Sequence, residues 1–190
     1  MATALLLNGC TLFTRPTPAE NVVIPKATRQ SQIQAMNEWK ARGAISVTYQ
    51  ARTDIGSFIW DQFGSQYDLR TFGPLNMAGL RVTGRPGHAQ LWKSSQTAVS
   101  ASSPENLMQR ELGWHLPVTN FRYWSRGIPA PNIDSSKRFD HFGHLTHLNQ
   151  QGWTIAYKEY QSVKGRDLPR TIIFTHEPIR VKMVIKSWQF

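Results

Sequence analysis

The feature that most narrows what this chain can fold into is an alternation of period two that returns along most of its length. In Ala44–Arg52 the apolar Ile45, Val47, Tyr49 and Ala51 interleave with Ala44, Ser46, Thr48 and Gln50. Near the C-terminus Ile179, Val181, Met183 and Ile185 share one side, while Arg180, Lys182 and Lys186 share the other. Successive strand side chains point to opposite faces, so these rows specify antiparallel sheet with one apolar and one wet face. Phe58 and Trp60, opposed by Ser57 and Asp61, predict a second strand. Tyr67, Leu69 and Thr71 against Asp68 and Arg70 predict a third. Gly64–Ser65 supplies the hairpin turn between these two, and Gly84-Arg85-Pro86-Gly87 a later one. Further strands are predicted around Arg138–Phe142, His144–Asn149, Trp153–Tyr160 and Leu168–His176.

Three short helices interrupt the strands. Gln30–Ala41 places Ile33, Met36, Asn37 and Lys40 at helical offsets and is expected to end near Gly43. Pro104–Leu112 has Ser103 as N-cap, proline at the first helical position and Glu105 in the first turn. Pro117–Arg126 predicts another, closed by Gly127. So many short strands must curl to bury their apolar face, and helices are at hand either to pack there or to cover a cavity. The expected fold class is mainly β (α+β), an incomplete antiparallel β-barrel whose hydrophobic concave face is covered by short helices.

Chemistry is hard to find. No nucleotide loop, dinucleotide fingerprint or nucleophile elbow is present. The twelve Asp and Glu are scattered without a catalytic pair, so no enzymatic activity is expected. His141, His144 and His147 suggest a metal, but Gly143 breaks the group and the spacing alternates faces on a strand. They are read as solvated or hydrogen-bonded histidines, and neither a metal nor a cofactor is expected. Twenty-two Lys and Arg against those twelve acids leave a net charge of +10, which favours acidic partners or an anionic surface. The basic residues form no RNA-reading or arginine-rich block, so nucleic acid is not expected. The longest apolar run is far short of the roughly 18 residues of a spanning helix.

The single cysteine, Cys10, follows Leu5–Leu7, Asn8 and Gly9, which resembles the lipidation site of bacterial lipoproteins. The leader is short and uncharged, and Asn8 is an uncommon occupant of its slot, so the match is accidental unless the true start lies upstream. Residues 1–9 read as a signal remnant, 10–28 as a flexible tether, and 29–190 as the folded domain.

An ordered set of local patterns carries a resemblance over roughly Gln30–Phe190. It comprises Trp39-Lys40-Ala41-Arg42-Gly43-Ala44, Gly73-Pro74-Leu75-Asn76, Leu116-Pro117 with Trp124, Gly127 and Pro129, Leu168-Pro169-Arg170, and Trp188. With Cys10 upstream, the chain resembles the LolB family, the outer-membrane lipoprotein receptors of the Lol pathway. That resemblance implies a protein at the periplasmic face of a Gram-negative outer membrane, anchored by lipid at Cys10. It implies acceptance of acylated lipoproteins from the periplasmic carrier LolA into an apolar cavity, followed by insertion into the outer membrane. Its partners would be LolA, the acyl chains of client lipoproteins and outer-membrane lipids, and the protein a monomer. By the same resemblance Leu75, in a loop with Gly73 and Pro74, would act in membrane insertion and cargo release. Candidate walls for the cavity are the inward rows: Val47, Tyr49, Phe58, Trp60, Leu69, Trp153, Ile155, Ile172, Phe174, Val181 and Met183. Each serves equally well as ordinary core, because strand parity does not separate core from cavity wall. The other readings are a soluble periplasmic lipoprotein carrier and a lipocalin-like binder of small apolar ligands.

Overall fold

The computed structural model describes residues 17–20, 22–73, 79–94, 97–113 and 116–190. The leading elements are helix α1 (Lys26–Gln34), β1 (Glu38–Tyr49), β2 (Arg52–Phe63), β3 (Gln66–Phe72), β4 (Leu80–Arg85), β5 (His88–Lys93) and β6 (Val99–Ala101). After α2 (Pro104–Leu112) and α3 (Val118–Trp124) come β7 (Ser136–Phe139), β8 (Leu145–Gln150), β9 (Trp153–Val163), β10 (Arg166–His176) and β11 (Ile179–Gln189).

The eleven described strands form one antiparallel sheet in the order β6-β5-β4-β3-β2-β1-β11-β10-β9-β8-β7. It stays open, with β6 and β7 at opposite edges. The chain begins the sheet in the middle, meanders out to one edge, and must resume at the other. Its connection therefore has to traverse the whole face, and α2 and α3 are that crossing. The lid over the concave face is thus a consequence of strand order.

The eight strands predicted from the sequence are present and β4, β5 and β6 come in addition, but the first helix ends earlier than its pattern suggested. It starts at Lys26 and is over by Gln34, while Trp39 and Ala41 lie buried on β1. The reason is pairing: β1 is hydrogen-bonded over most of its length to both β2 and β11, and two ladders outweigh a weak helical period. The end of α1 is held by Arg126, whose Nη1 donates to Ile33 O at 3.0 Å and Met36 O at 2.8 Å. Helix α2 has the expected cap, Asn106 N donating to Ser103 Oγ at 3.2 Å. It stops at Gly113, whose φ of 74° suits a left-handed C-terminal residue.

Two clusters of rings fill the concave side. At one end Trp39 meets Trp60 at 5.2 Å and Trp188 at 5.3 Å between centroids. Under the lid, Phe121 of α3 stacks on Phe174 at 4.7 Å and meets Trp153 edge-on at 5.7 Å. The segment before α1 lies along β9 and β10. Pro18 bridges to Gln161, and Glu20 N donates to Asp167 Oδ1 at 3.1 Å.

Candidate functional site

The floor beneath α3 is dry and closed. Ile155, Ile172 and Phe174 are fully buried, and Phe58, Trp153, Val181 and Met183 nearly so. Among the described residues a cleft of ≈ 650 Å³ opens at the turn end of β2–β5, lined also by the beginnings of α2 and α3. Trp60, Pro104 and Val118 give it an apolar lining; Tyr67, Glu105 and Arg122 give it polar groups. A second opening of ≈ 710 Å³ adjoins it, sharing Ser65 and Arg122 and continuing past Met36, Trp39 and Arg126.

The titratable groups here are shaped by burial. Desolvation, with the charge of Glu105 adding to it, raises the Tyr67 phenol above its ordinary range. Burial lowers the Arg126 guanidinium, which has carbonyls as acceptors and lies 5.9 Å from the Trp39 ring centroid. On the sheet side of α3, Gln150 locks the lid: its Oε1 accepts from Trp124 Nε1 at 2.7 Å and Ala130 N at 2.9 Å.

The profile of the family described as "Outer membrane lipoprotein LolB" matches residues 37–188. An outer-membrane lipoprotein LolB of Coxiella burnetii (strain Dugway 5J108-111) is 39% identical over 188 residues, covering 98% of this chain and 89% of its own. One from Pseudomonas fluorescens is 34% identical over 185 residues, covering 96% and 90%. The chain belongs to the LolB family. As in its LolB relatives' names, it is an outer-membrane lipoprotein; among its described residues no helix is long and apolar enough to cross a membrane. Solved structures share the fold. A LolA superfamily protein from Nitrosomonas europaea has a TM-score of 0.52 at 9% identity, over 88% of this chain and 94% of that one. A lipoprotein-sorting domain from Vibrio parahaemolyticus gives 0.56 at 7%, over 87% and 90%.

Set on this LolB-family frame, the residues singled out in the sequence divide into four groups. Trp60 lines the cleft. Val47, Phe58, Trp153, Ile155, Ile172, Phe174, Val181 and Met183 belong to the buried cluster, with Tyr49 and Leu69 half-buried against it. Gly73 closes β3, where an added Cβ would lie 2.9 Å from the Gly56 Cα, so β2 and the start of this loop touch. Cys10, Pro74 and Leu75 lie outside the described residues. Sequence reasoning missed Pro104, Glu105, Val118 and Arg122 as cleft residues; Val118 and Arg122 are one helical turn apart, the only signal available.

The histidines do not converge. His144 is enclosed, with Nδ1 2.9 Å from Asp140 Oδ2 and Nε2 2.9 Å from Asp167 Oδ2. Its ring stacks on Tyr160 at 4.4 Å, while Arg29 Nη1 donates to the same Asp167 oxygen at 3.4 Å. This network pins α1 and the preceding segment to β9 and β10, whereas His141 is exposed in a turn and His147 sits on β8. Among the described residues no group of three or more potential ligands is placed to hold a metal ion.

Proposed function

We propose that this chain serves lipoprotein localisation by accepting acylated lipoproteins from the periplasmic carrier LolA and inserting them into the outer membrane. The observation that carries the reading is a dry apolar concave face covered by a crossing connection, with an apolar cleft at one end of that lid. An acyl chain of about a dozen methylenes gains roughly 10 kcal/mol on leaving water, at about 0.8 kcal/mol each. Separating Phe121 from Phe174 and Trp153 costs a few kcal/mol on the scale of a core aromatic. Cargo burial can therefore offset lid opening. Downhill transfer needs only differential affinity, tenfold for about 1.4 kcal/mol, and the bilayer is the final sink.

In this reading Cys10 carries the lipid anchor, the buried inward rows become the acyl-chain walls once α3 lifts, and the protein acts as a monomer. Leu75 enters the bilayer from the loop that Gly73 begins. Gly73 follows β3 at the end away from the cleft, about 20 Å off for seven residues at roughly 3.3 Å each.

A reconstituted handover tests it. LolA loaded with a lipoprotein is mixed with this protein and with liposomes, and the cargo is followed by sedimentation. Acceptance followed by insertion is expected. A protein that never accepts the cargo is not a receptor, and binding of a small apolar dye without handover would favour a lipocalin-like binder. Leu75→Glu should accept cargo at the normal rate yet leave it bound, since a carboxylate resists entry into hydrocarbon; normal insertion by that variant would remove Leu75 from the mechanism.

A further inference from the structure

Two residues that line the cleft each carry a polar atom that the fold itself does not use. Among the described residues, the Tyr67 hydroxyl and Arg122 Nε are both buried without a hydrogen-bond partner. A buried donor left unmade forfeits stability, and native proteins tolerate few of them. Both residues line the same ≈ 650 Å³ cleft, beside the apolar Trp60, Pro104 and Val118.

The position of the phenol is also built in. Gly84 stands opposite Tyr67 in the β3–β4 ladder. A Cβ there would lie 2.3 Å from the Tyr67 hydroxyl oxygen and 2.4 Å from its ring. Glycine inside a strand weakens it, and here it makes room over β4 for the Tyr67 ring and its hydroxyl.

We infer that Tyr67 and Arg122 form a polar anchor in the cleft for the ester carbonyls that join acyl chains to a glyceryl group. The inference rests on the acyl-binding reading above and specifies its ligand. Both groups are donors, so the ligand must bring acceptors, and it must bring them next to apolar chains. Desolvation keeps the phenol protonated and therefore able to donate. Glu105 lies in the same cleft, close enough to disfavour ionisation of Tyr67. Arg85 and Arg122 line the cleft as well, so its charge is mixed, and a free carboxylate is separated from a neutral ester by the third probe below.

The test compares 1,2-dioctanoylglycerol with its 1,2-dioctyl ether, which has the same chain count but lacks the carbonyl oxygens. Binding to the full chain is measured by titration calorimetry, with decanoate as a third probe. The diester should bind at least tenfold more tightly than the diether, and decanoate more weakly than the diester. Tyr67→Phe should abolish most of that preference, leaving diether affinity unchanged and Tm unaltered or raised, because the hydroxyl holds nothing in the fold. Gly84→Ala, which keeps the hydroxyl but displaces the ring, should reduce the preference as well. Equal affinity for diester and diether, or a preference that survives Tyr67→Phe, overturns the anchor while leaving the acyl cleft standing. Tighter binding of decanoate overturns it in favour of a carboxylate site. Binding of none of the probes overturns the acyl-binding reading itself, and the anchor with it.

Discussion

At the scale of single residues, the sheet depends on positions where an atom more or a charge more would be costly. Gly43 sits at the irregularity between Arg42 and Gly43 where β1 pairs with β11. A Cβ there would lie 2.0 Å from the Val184 carbonyl oxygen, so Gly43→Ala must push two central strands apart. Overpacking of this kind costs about 3 kcal/mol, or roughly 10 °C in Tm for a domain of this size. A thermal melt of the variant checks it, and an unchanged Tm would mean the ladder yields more easily than its geometry implies. His147 on β8 is a case of charge. Desolvation lowers its pKa, and the nearby Arg138 and Lys158 lower it further. The folded value is depressed, so the fold prefers the neutral ring. The unfolded chain then binds the proton first, and stability is lost as pH falls below about 6.5 toward the folded value. His147→Gln should flatten this loss, seen as a smaller drop in the urea midpoint between pH 7 and pH 5 than the unmodified protein shows.

At the scale of elements, α3 is held to the sheet by stacked rings above and by one saturated amide at its end. Gln150 accepts from Trp124 and Ala130, and its amide nitrogen donates to Ala130 O and Ile133 O, each at 2.9 Å. Gln150→Ala orphans these groups in the interior and should cost about 3 kcal/mol, allowing for partial rescue by water. Gln150→Glu is the more telling variant, because it keeps the size and the acceptors but cannot donate to the two carbonyls while ionised. Comparable destabilisation of both in urea unfolding assigns the effect to the donors. Eight of the eleven described strands, the turn at Gly64–Ser65 and the capped α2 were legible in the sequence, because each follows from a local period or a local cap. Strands β4, β5 and β6 were not, and of these only the turn between β4 and β5 was marked, at Gly84–Gly87 where Gly84 and Arg85 still belong to β4. The end of α1 was not, since the pairing of Glu38–Gly43 is decided by partners far away in the chain. The cleft was legible only at Trp60. Its other walls come from a hairpin, a turn and two helix starts, and strand parity cannot report what a crossing connection lays over the sheet. The same parity identified Phe174 and Ile172 correctly as inward but could not tell that Phe121 stacks on Phe174.

At the scale of the whole molecule, the net charge of +10 is not spread evenly in its effect. On the N-terminal half of the sheet's outer face the cations are held: Lys40 and Arg70 by Asp61, at 2.7 and 2.6 Å, and Arg81 by Asp68 at 2.8 Å. On the C-terminal half, Arg180, Lys182 and Lys186 project from the wet side of β11, and His147 lies in the combined field of Arg138 and Lys158. Among the described residues no ion pair joins Arg180, Lys182 or Lys186 to a carboxylate. An unneutralised face of this kind acts at a distance, raising the encounter rate with an acidic carrier or an anionic headgroup layer rather than fixing a contact. Its reach is about 10 Å at 0.1 M salt and about 3 Å at 1 M. The rate of cargo acceptance should therefore fall several-fold between 0.05 and 0.5 M sodium chloride, with the final extent of transfer unchanged, because affinity resides in the apolar interior. Arg180→Gln combined with Lys182→Gln should lower the low-salt rate toward the high-salt one and leave Tm within a few degrees, as both side chains are exposed. A rate independent of salt in both proteins would show that encounter is governed by shape alone.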